Sequence, residues 1–481
     1  MNTFKIKKIH YLLIVILACI TIFSGCAGTK EENKTPKYIF LFIGDGMGTS
    51  HVALSEAYFS NITGKIGFEK FTMTGFPVLG LCETYCRNRQ ITDSGAAGSA
   101  IACGTKANVD AISYFEDTIN NDTQSIAKIA KSKGLKTGII TTVSLDHATP
   151  AAFYAINKNR SNYYEIGLDL AASNFDFFGG GSFYYPEGKN NDNRNLIEII
   201  KENGYITYNT YEDLQNISSN DEKVVYINPV TLKEGEMPYA IDRKNQGGAC
   251  LQEIIKSGIE YLNNENGFFI MTEGGKIDWC SHENDAATII YEVKDFDDAV
   301  KEAYNFYLQY PDETLIIVTA DHETGGISIG NAINNYENNL QILNIQKTSQ
   351  YYFGQQIADY KKNKEKYDIK DIINMAQTDF YSEHINFTEE EFSQITEAFN
   401  YYFHDKTNYT EKELYKLYGG YNPISVTFTK ILNNRAAIGF TSWSHTGTRV
   451  PVYSIGKGSE KFSGNMNNTD IKRKIMEIMN W

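Results

Sequence analysis

Apolar residues in this chain fall into short unbroken runs rather than alternating with polar ones. Tyr38–Ile43, Phe268–Thr272 and Leu315–Ala320 are the clearest. A strand covered on one face alternates, whereas one covered on both faces does not. These runs predict central strands of a parallel sheet. Lys136–Thr142, Phe175–Phe178 and Val450–Ile455 predict further strands. Between them the spacing becomes helical. Gln252–Leu262 fits one helix. Ile289, Ile290, Val293, Phe296, Val300, Ala303 and Phe306 mark the inner stripe of a long amphipathic one, whose acidic face is expected in solvent. Thr149, as cap, with Pro150 in the first turn predicts a helix running to about Arg160. Thr388 and Glu391 form a capping box ahead of Phe392, Ile395, Phe399 and Tyr402, a predicted inward face. Strands that alternate with helices give an α/β class: a central, mostly parallel sheet flanked by helices. The pattern lapses twice. Residues 190–242 are polar and mixed, and are expected at the periphery. Residues 331–439 are dense in Tyr, Asn and Lys and read as an inserted subdomain.

The strand ends carry the candidate chemistry. In open α/β sheets, sites form where strands stop. Tyr38–Ile43 breaks into Gly44-Asp45-Gly46-Met47-Gly48. Phe268–Thr272 ends in Glu273 and two glycines. Asp278 and His282 follow, four residues apart and so on one face of a helical turn. Leu315–Ala320 delivers Asp321-His322, an oxygen and a nitrogen donor suited to zinc. Two adjacent metal sites sharing one loop are the expectation. Asp93 or Ser94 would cap a small-residue helix that packs tightly on the sheet. A serine there faces unpaired N–H groups, a ready anion site. Its hydroxyl becomes a useful nucleophile once a base or a metal lowers its pKa. Arg160 is placed to clamp a phosphate in bidentate fashion. Of the eight histidines, His147, His282, His322 and His445 sit at glycine- or carboxylate-rich strand ends, where packing alone does not account for them.

Composition narrows the classes. A chain of 481 residues, 42% hydrophobic, can bury a large core. A net charge of −14 without a basic patch argues against nucleic acid as a partner. Lys5, Lys7 and Lys8 precede an apolar run from Tyr11 to Phe23, a secretory signal too short for a membrane span. Phe23-Ser24-Gly25-Cys26 resembles a bacterial lipobox, with plain cleavage as the alternative. Residues 1–25 then form a lipoprotein signal peptide, Cys26 the lipidated first residue, residues 26–36 a flexible tether and 37–481 the catalytic domain. This predicts an exported protein, periplasmic or at the cell surface, held on a bacterial membrane by its lipid. Cys82, Cys86, Cys103, Cys250 and Cys280 leave an odd thiol and no deducible pairing.

Taken in order, the motifs resemble the alkaline phosphatase family. They are the Asp45 glycine turn, Thr92-Asp93-Ser94, His147-Ala148-Thr149-Pro150 with Arg160, Glu273…Asp278…His282, Asp321-His322 and His445-Thr446-Gly447. The likeness runs from about Tyr38 to Ser454, and the 331–439 insert takes the place of the family's variable crown. The resemblance implies one zinc held by Asp278, His282 and His445, and a second held by Asp45, Asp321 and His322 beside Ser94. It implies a magnesium near Asp45, Thr149 and Glu273, with His147 as neighbour and possible ligand. Arg160 would grip the substrate phosphate and Asp93 would position Arg160. The implied reaction is hydrolysis of phosphate monoesters through a phosphoserine, in a homodimer. A phosphodiesterase or sulfatase of the same superfamily is the nearest rival, and a non-catalytic surface binding lipoprotein the next. Two positions depart from common family patterns. His147 stands where some members carry Asp. Trp279 stands where Lys or His is frequent, which predicts weaker phosphate binding and faster product release.

Overall fold

In the computed structural model, residues 35–116, 123–218 and 222–481 are described. The expected signal, Cys26 and all but the last two residues of the expected tether lie outside them. The unbroken apolar runs become strands of one ten-stranded sheet. In chain order these are β1 Tyr38–Gly44, β2 Val78–Glu83, β3 Lys136–Thr141, β4 Phe177–Gly180, β5 Ile206–Tyr208, β6 Val224–Ile227, β7 Phe268–Gly274, β8 Thr314–Thr319, β9 Val450–Gly456 and β10 Gly464–Asn467. Across the sheet the order is β10-β2-β9-β8-β1-β7-β3-β4-β6-β5. Only β9 opposes its neighbours; the other pairings are parallel. Every residue of β1, β7 and β8 is buried, as runs without alternation require. Register then levels the strand ends: Ile43 lies beside Glu273 and Thr319, and Thr141 also lies beside Glu273.

The main helices are α1 Ser94–Cys103, α2 Ala148–Ala151, α3 Leu251–Leu262, α4 Lys276–His282, α5 Ala286–Tyr307, α6 Gln350–Asn363, α7 Glu389–His404 and α8 Pro423–Ala436. Several differ from the sequence reading. The helix expected from Thr149 to Arg160 stops at Ala151, and His147 occupies its cap position. The chain there enters a bridge between Ile112 and Asn157, and Arg160 N–H donates to the Asp110 carbonyl at 2.7 Å. That pairing competes with helix and fixes Arg160 in a loop.

The acidic side of α5 is not solvated: Glu292, Asp295 and Asp297 are buried. Asp297 accepts from the N–H groups of Thr72 and Met73 at 2.9 and 3.0 Å. Asp295 pairs with Arg243 at 2.5 Å, and Glu292 accepts from Ala240 N–H at 2.5 Å. Segments remote in sequence supply these partners, so helical periodicity could not reveal them. Residues 190–242 are only partly peripheral: they add β5 and β6 to the sheet and bury Glu236 and Asp242. In α7, Ile395 and Phe399 face inward, but Phe392 is 46% exposed. Its first turn meets α8 through a Glu391–Arg435 ion pair rather than an apolar surface. The five cysteines of the described residues are free thiols.

Candidate active site

The parallel ends of β8, β1, β7 and β3 bring their terminal residues to one pole. Asp45 follows β1, Glu273 ends β7, and Asp321-His322 follows β8. The turn after β1 needs glycine. Gly46 has φ +73°, and a Cβ there would fall 2.9 Å from both the Asp278 Cα and Thr324 Oγ1. Asp278 and His282 share one face of α4. His445 arrives from a distant segment because His445–Thr446 pairs antiparallel with Glu323–Thr324. Asp321 Oδ1 accepts from Gly46 N–H at 3.2 Å and from its neighbour His322 N–H at 3.0 Å.

Three donor groups result, each with ligand atoms within 4.8 Å of one another: Asp278, His282 and His445; Asp45, Asp278 and His322; Asp45, His147 and Glu273. The second differs from the implied set in that Asp278 joins Asp45 and His322. Asp321 stays close, its Oδ2 3.4 Å from His322 Nε2. Thr149 Oγ1 donates to Asp45 Oδ2 at 3.3 Å. Ser94 Oγ lies 3.2 Å from His322 Nε2, and that nitrogen is 3.2 Å from Asp45 Oδ1.

The histidines are oriented by their outer nitrogens. His282 Nδ1 faces the Trp443 carbonyl at 2.6 Å and His445 Nδ1 faces the Thr92 carbonyl at 2.7 Å. A carbonyl only accepts, so each Nδ1 carries hydrogen. The two Nε2 atoms then meet each other at 3.1 Å. Both neutral, they oppose lone pairs. A shared cation, or a proton on one, resolves this. The His282 imidazole registers the same demand: burial lowers its pKa, but Asp278 holds it up at about 9.

The carboxylates need positive charge too. Asp45, Glu273 and Asp321 are fully buried, and Asp45 Oδ1, Glu273 Oε1 and Asp321 Oδ2 lack hydrogen-bond partners. Burial pushes Glu273 up to about 7. Burial and then Asp321 and Asp278 push Asp45 well above the carboxylate range. Burial also opposes ionised Asp278, yet His282 and His445 hold it well below that range. Buried acids with bare oxygens, beside imidazoles with inward lone pairs, are a donor set that fits divalent cations.

Ser94 opens α1 and is almost fully buried. Asp93 caps the helix: its carboxylate accepts from Gly95 and Ala96 N–H, and its carbonyl accepts from Ala97 N–H. The helix start therefore offers fewer free donors to an anion than expected. Arg160 supplies the positive charge instead. Its Nη1 is held by Asp93 Oδ2 at 3.0 Å and its Nη2 lies 3.4 Å from His147 Nε2. Burial and Arg160 push His147 down to about 3, so it is neutral. Trp279 stands edge-on to His147 with ring centres 5.9 Å apart.

Residues that sequence reasoning missed support this set. Thr324 Oγ1 donates to Asp278 Oδ1 at 2.5 Å and lies 3.2 Å from His322 Nδ1, which ties two donor groups together. Thr141 Oγ1 donates to Glu273 Oε2, and Val143 N–H steadies Thr141 at 3.1 Å. Hydroxyls carry no periodic signal; their only mark is position, at a strand end and three residues after Asp321.

Beyond Ser94 the site opens into a cavity of about 730 Å³. Comparison with known proteins agrees with this geometry. A family model described as alkaline phosphatase matches residues 36–481. Alkaline phosphatase 4 of Bacillus subtilis (strain 168) is 32% identical over 502 residues, covering 100% of this chain and 98% of the relative. The crystal structure of a cold-active alkaline phosphatase from a psychrophilic Shewanella species is 27% identical, with a TM-score of 0.75, and covers 92% of this chain and 99% of that one. A mutant of TAB5 alkaline phosphatase with magnesium bound in its M3 site is also 27% identical, with a TM-score of 0.64 and coverage of 93% and 99%. With this fold and these donor groups at the strand ends, the chain belongs to the alkaline phosphatase family of metal-dependent enzymes.

Proposed function

We propose that the enzyme hydrolyses phosphate monoesters to alcohol and inorganic phosphate through a phosphoserine at Ser94, with two zinc ions and one magnesium. The observation that carries this is the placement of Ser94 Oγ 3.2 Å from the inward nitrogen of His322, beside Asp45. Asp278, His282 and His445 would hold one zinc, Asp45, Asp321 and His322 the other, and Asp45, Thr149 and Glu273 the magnesium, with His147 nearby. Bound there, such ions lower the pKa of a hydroxyl or a water and offset charge on the entering and leaving oxygens. The rest falls to the protein. Ser94 Oγ attacks phosphorus in line and the alcohol departs. Arg160, preset by Asp93, pairs with the equatorial oxygens as charge builds. His282 and His445, locked by their carbonyl partners, keep their donor atoms aimed inward.

Arg160 also favours monoesters over the diester reading, because a second substituent on phosphorus would compete for its place; the sulfatase reading is disfavoured because the Asp93-Ser94-Gly95 context does not resemble that of a modified Cys or Ser nucleophile. The same reading includes export through residues 1–25, lipid attachment at Cys26 and a homodimer. Steady-state hydrolysis of p-nitrophenyl phosphate and its bis-ester, by zinc- and magnesium-loaded protein, tests the chemistry. We expect a monoester preference, lost by about 10³-fold or more in Ser94→Ala. A diester preference would overturn it.

A further inference from the structure

One of the three donor groups depends on an exposed loop. None of residues 441–449 is buried, whereas Asp45, His147, Glu273, Asp278, Asp321 and His322 all are. This loop sets both imidazoles of the Asp278, His282 and His445 group. It carries His445 itself, and its Trp443 carbonyl orients His282. The other two groups take no residue from it. Donor atoms on so open a segment stay in place only if the segment is fastened on both sides of His445. Before His445, Trp443 Nε1 donates to the Lys416 carbonyl of the insert at 3.1 Å. After it, Arg449 pairs with Glu83 at 2.7 Å, but both partners are well exposed and such pairs hold weakly.

Glu323, next to His322 and 4% exposed, joins the two sides. Its Oε1 accepts from the N–H groups of Gly326 and Ile327 at 3.0 and 3.3 Å. This closes a turn that receives the loop ahead of His445. The Gly325 carbonyl accepts from Thr441 and Ser442 N–H at 3.0 and 3.1 Å, and Gly325 N–H donates to the Ser444 carbonyl at 3.0 Å. Glu323 Oε2 accepts from Thr446 Oγ1, on the far side of His445. Thr448 Oγ1 lies 3.2 Å from that hydroxyl and extends the chain of hydrogen bonds. Backbone pairing at this junction spans just two residues on each strand, so the carboxylate adds a large share of the attachment. The side chain has little room to swing away. A Cβ on Gly48 would lie 2.4 Å from Glu323 Cγ, which places it hard against the turn after β1.

We propose that Glu323 is a positioning residue: through Thr446 and the 323–327 turn it fixes His445 and the Trp443 carbonyl, and so sets the zinc affinity of the Asp278, His282 and His445 group alone. Glu323 belongs to none of the donor groups. The inference rests on the zinc assignment made above, and not on which ester is cleaved. The test titrates zinc into the chelated full chain against a competing indicator. Thr446→Val keeps the shape of the side chain and removes its hydroxyl. One zinc site should weaken by about tenfold or more, as loss of an outer partner does, while the other sites and the melting temperature of metal-free protein hold constant. Thr446→Ser keeps the hydroxyl and should restore the affinity. Glu323→Ala should weaken the same site at least as much as Thr446→Val. In a His445→Ala background Thr446→Val should change zinc binding no further, because both act on one site. Undiminished affinity in Thr446→Val would overturn the proposal and leave the zinc assignment standing. Equal weakening of every site, with a lower metal-free melting temperature, would make the contact merely structural and overturn it too. A loss that Thr446→Ser does not recover would remove the hydroxyl from the account. A wild-type chain that takes up no zinc would sink the zinc assignment itself.

Discussion

Two sets of buried acids lie within this fold, and they are treated in opposite ways. On the inner flank of α5, Asp297 has two backbone N–H partners, and Asp285, which caps the helix, accepts from Thr288, Gln346 and Gln350. At the strand ends, Asp45, Glu273 and Asp321 each keep a bare oxygen, and their neighbours are mostly other acids and imidazoles. Burial alone therefore does not mark a functional carboxylate. A bare oxygen on an acid that has no cationic side chain paired with it does; Asp295 also has a bare oxygen, but its other oxygen pairs with Arg243. A satisfied acid stabilises the fold it sits in. An unsatisfied one costs stability until something positive arrives.

The sharpest way to break this distinction is to substitute one acid from each set. Asp45→Asn is expected to weaken metal binding by more than the ~10–100-fold that loss of an outer-sphere partner costs. Bound metal counted after dialysis reads this. In chelated protein the same change should leave stability equal or higher, since it removes a like charge. Asp297→Ala should do the reverse. It should lower unfolding stability in urea by about 2–3 kcal/mol, from two unsatisfied N–H groups, and keep the metal content. Equal loss of metal in both variants would erase the contrast.

A smaller effect appears in pH dependence. Burial raises the Glu292 carboxyl to about 7 in the folded protein, against roughly 4.3 in an unfolded chain. Between these values the folded state holds a proton that the unfolded state has released. Stability therefore falls as pH rises through this window, by about 1 kcal/mol per pH unit, and is unaffected below it. Glu292→Gln should flatten that part of the profile in denaturant titrations; an unchanged slope would assign it to other groups, such as Asp242. Smallest of all is Trp279→Lys. A new ammonium beside His147 should tighten competitive inhibition by phosphate about tenfold, and an unchanged inhibition constant would count against the idea that Trp279 speeds product release.

How far the sequence could be read follows from range. Strand cores declared themselves because burial on both faces removes polar residues from a local window. The donors declared themselves because they adjoin those strands, as Asp45 and Asp321-His322 do. What needed the structure was partnership across long separations. The Asp297 contact with Thr72 spans 225 residues and the His445 contact with Thr92 spans 353. A helix window sees neither. Arg160 shows the same limit from the other side: its identity suggested a phosphate clamp, but its loop depends on a bridge to Ile112. Glu236 was hidden in a segment whose polarity resembles ordinary surface.

The facing imidazoles of His282 and His445 have one further consequence, for the folding equilibrium as a whole. Because they and the bare acids form one compact set only in the native state, cations bind the folded chain in preference to the unfolded one. Native population then follows free metal by mass action. Above the dissociation constant, each tenfold rise in metal adds about 1.4 kcal/mol per site to apparent stability. The melting temperature of this protein should thus behave as a gauge of available metal, and in scarce metal unfolding should set in before any catalytic group is chemically altered.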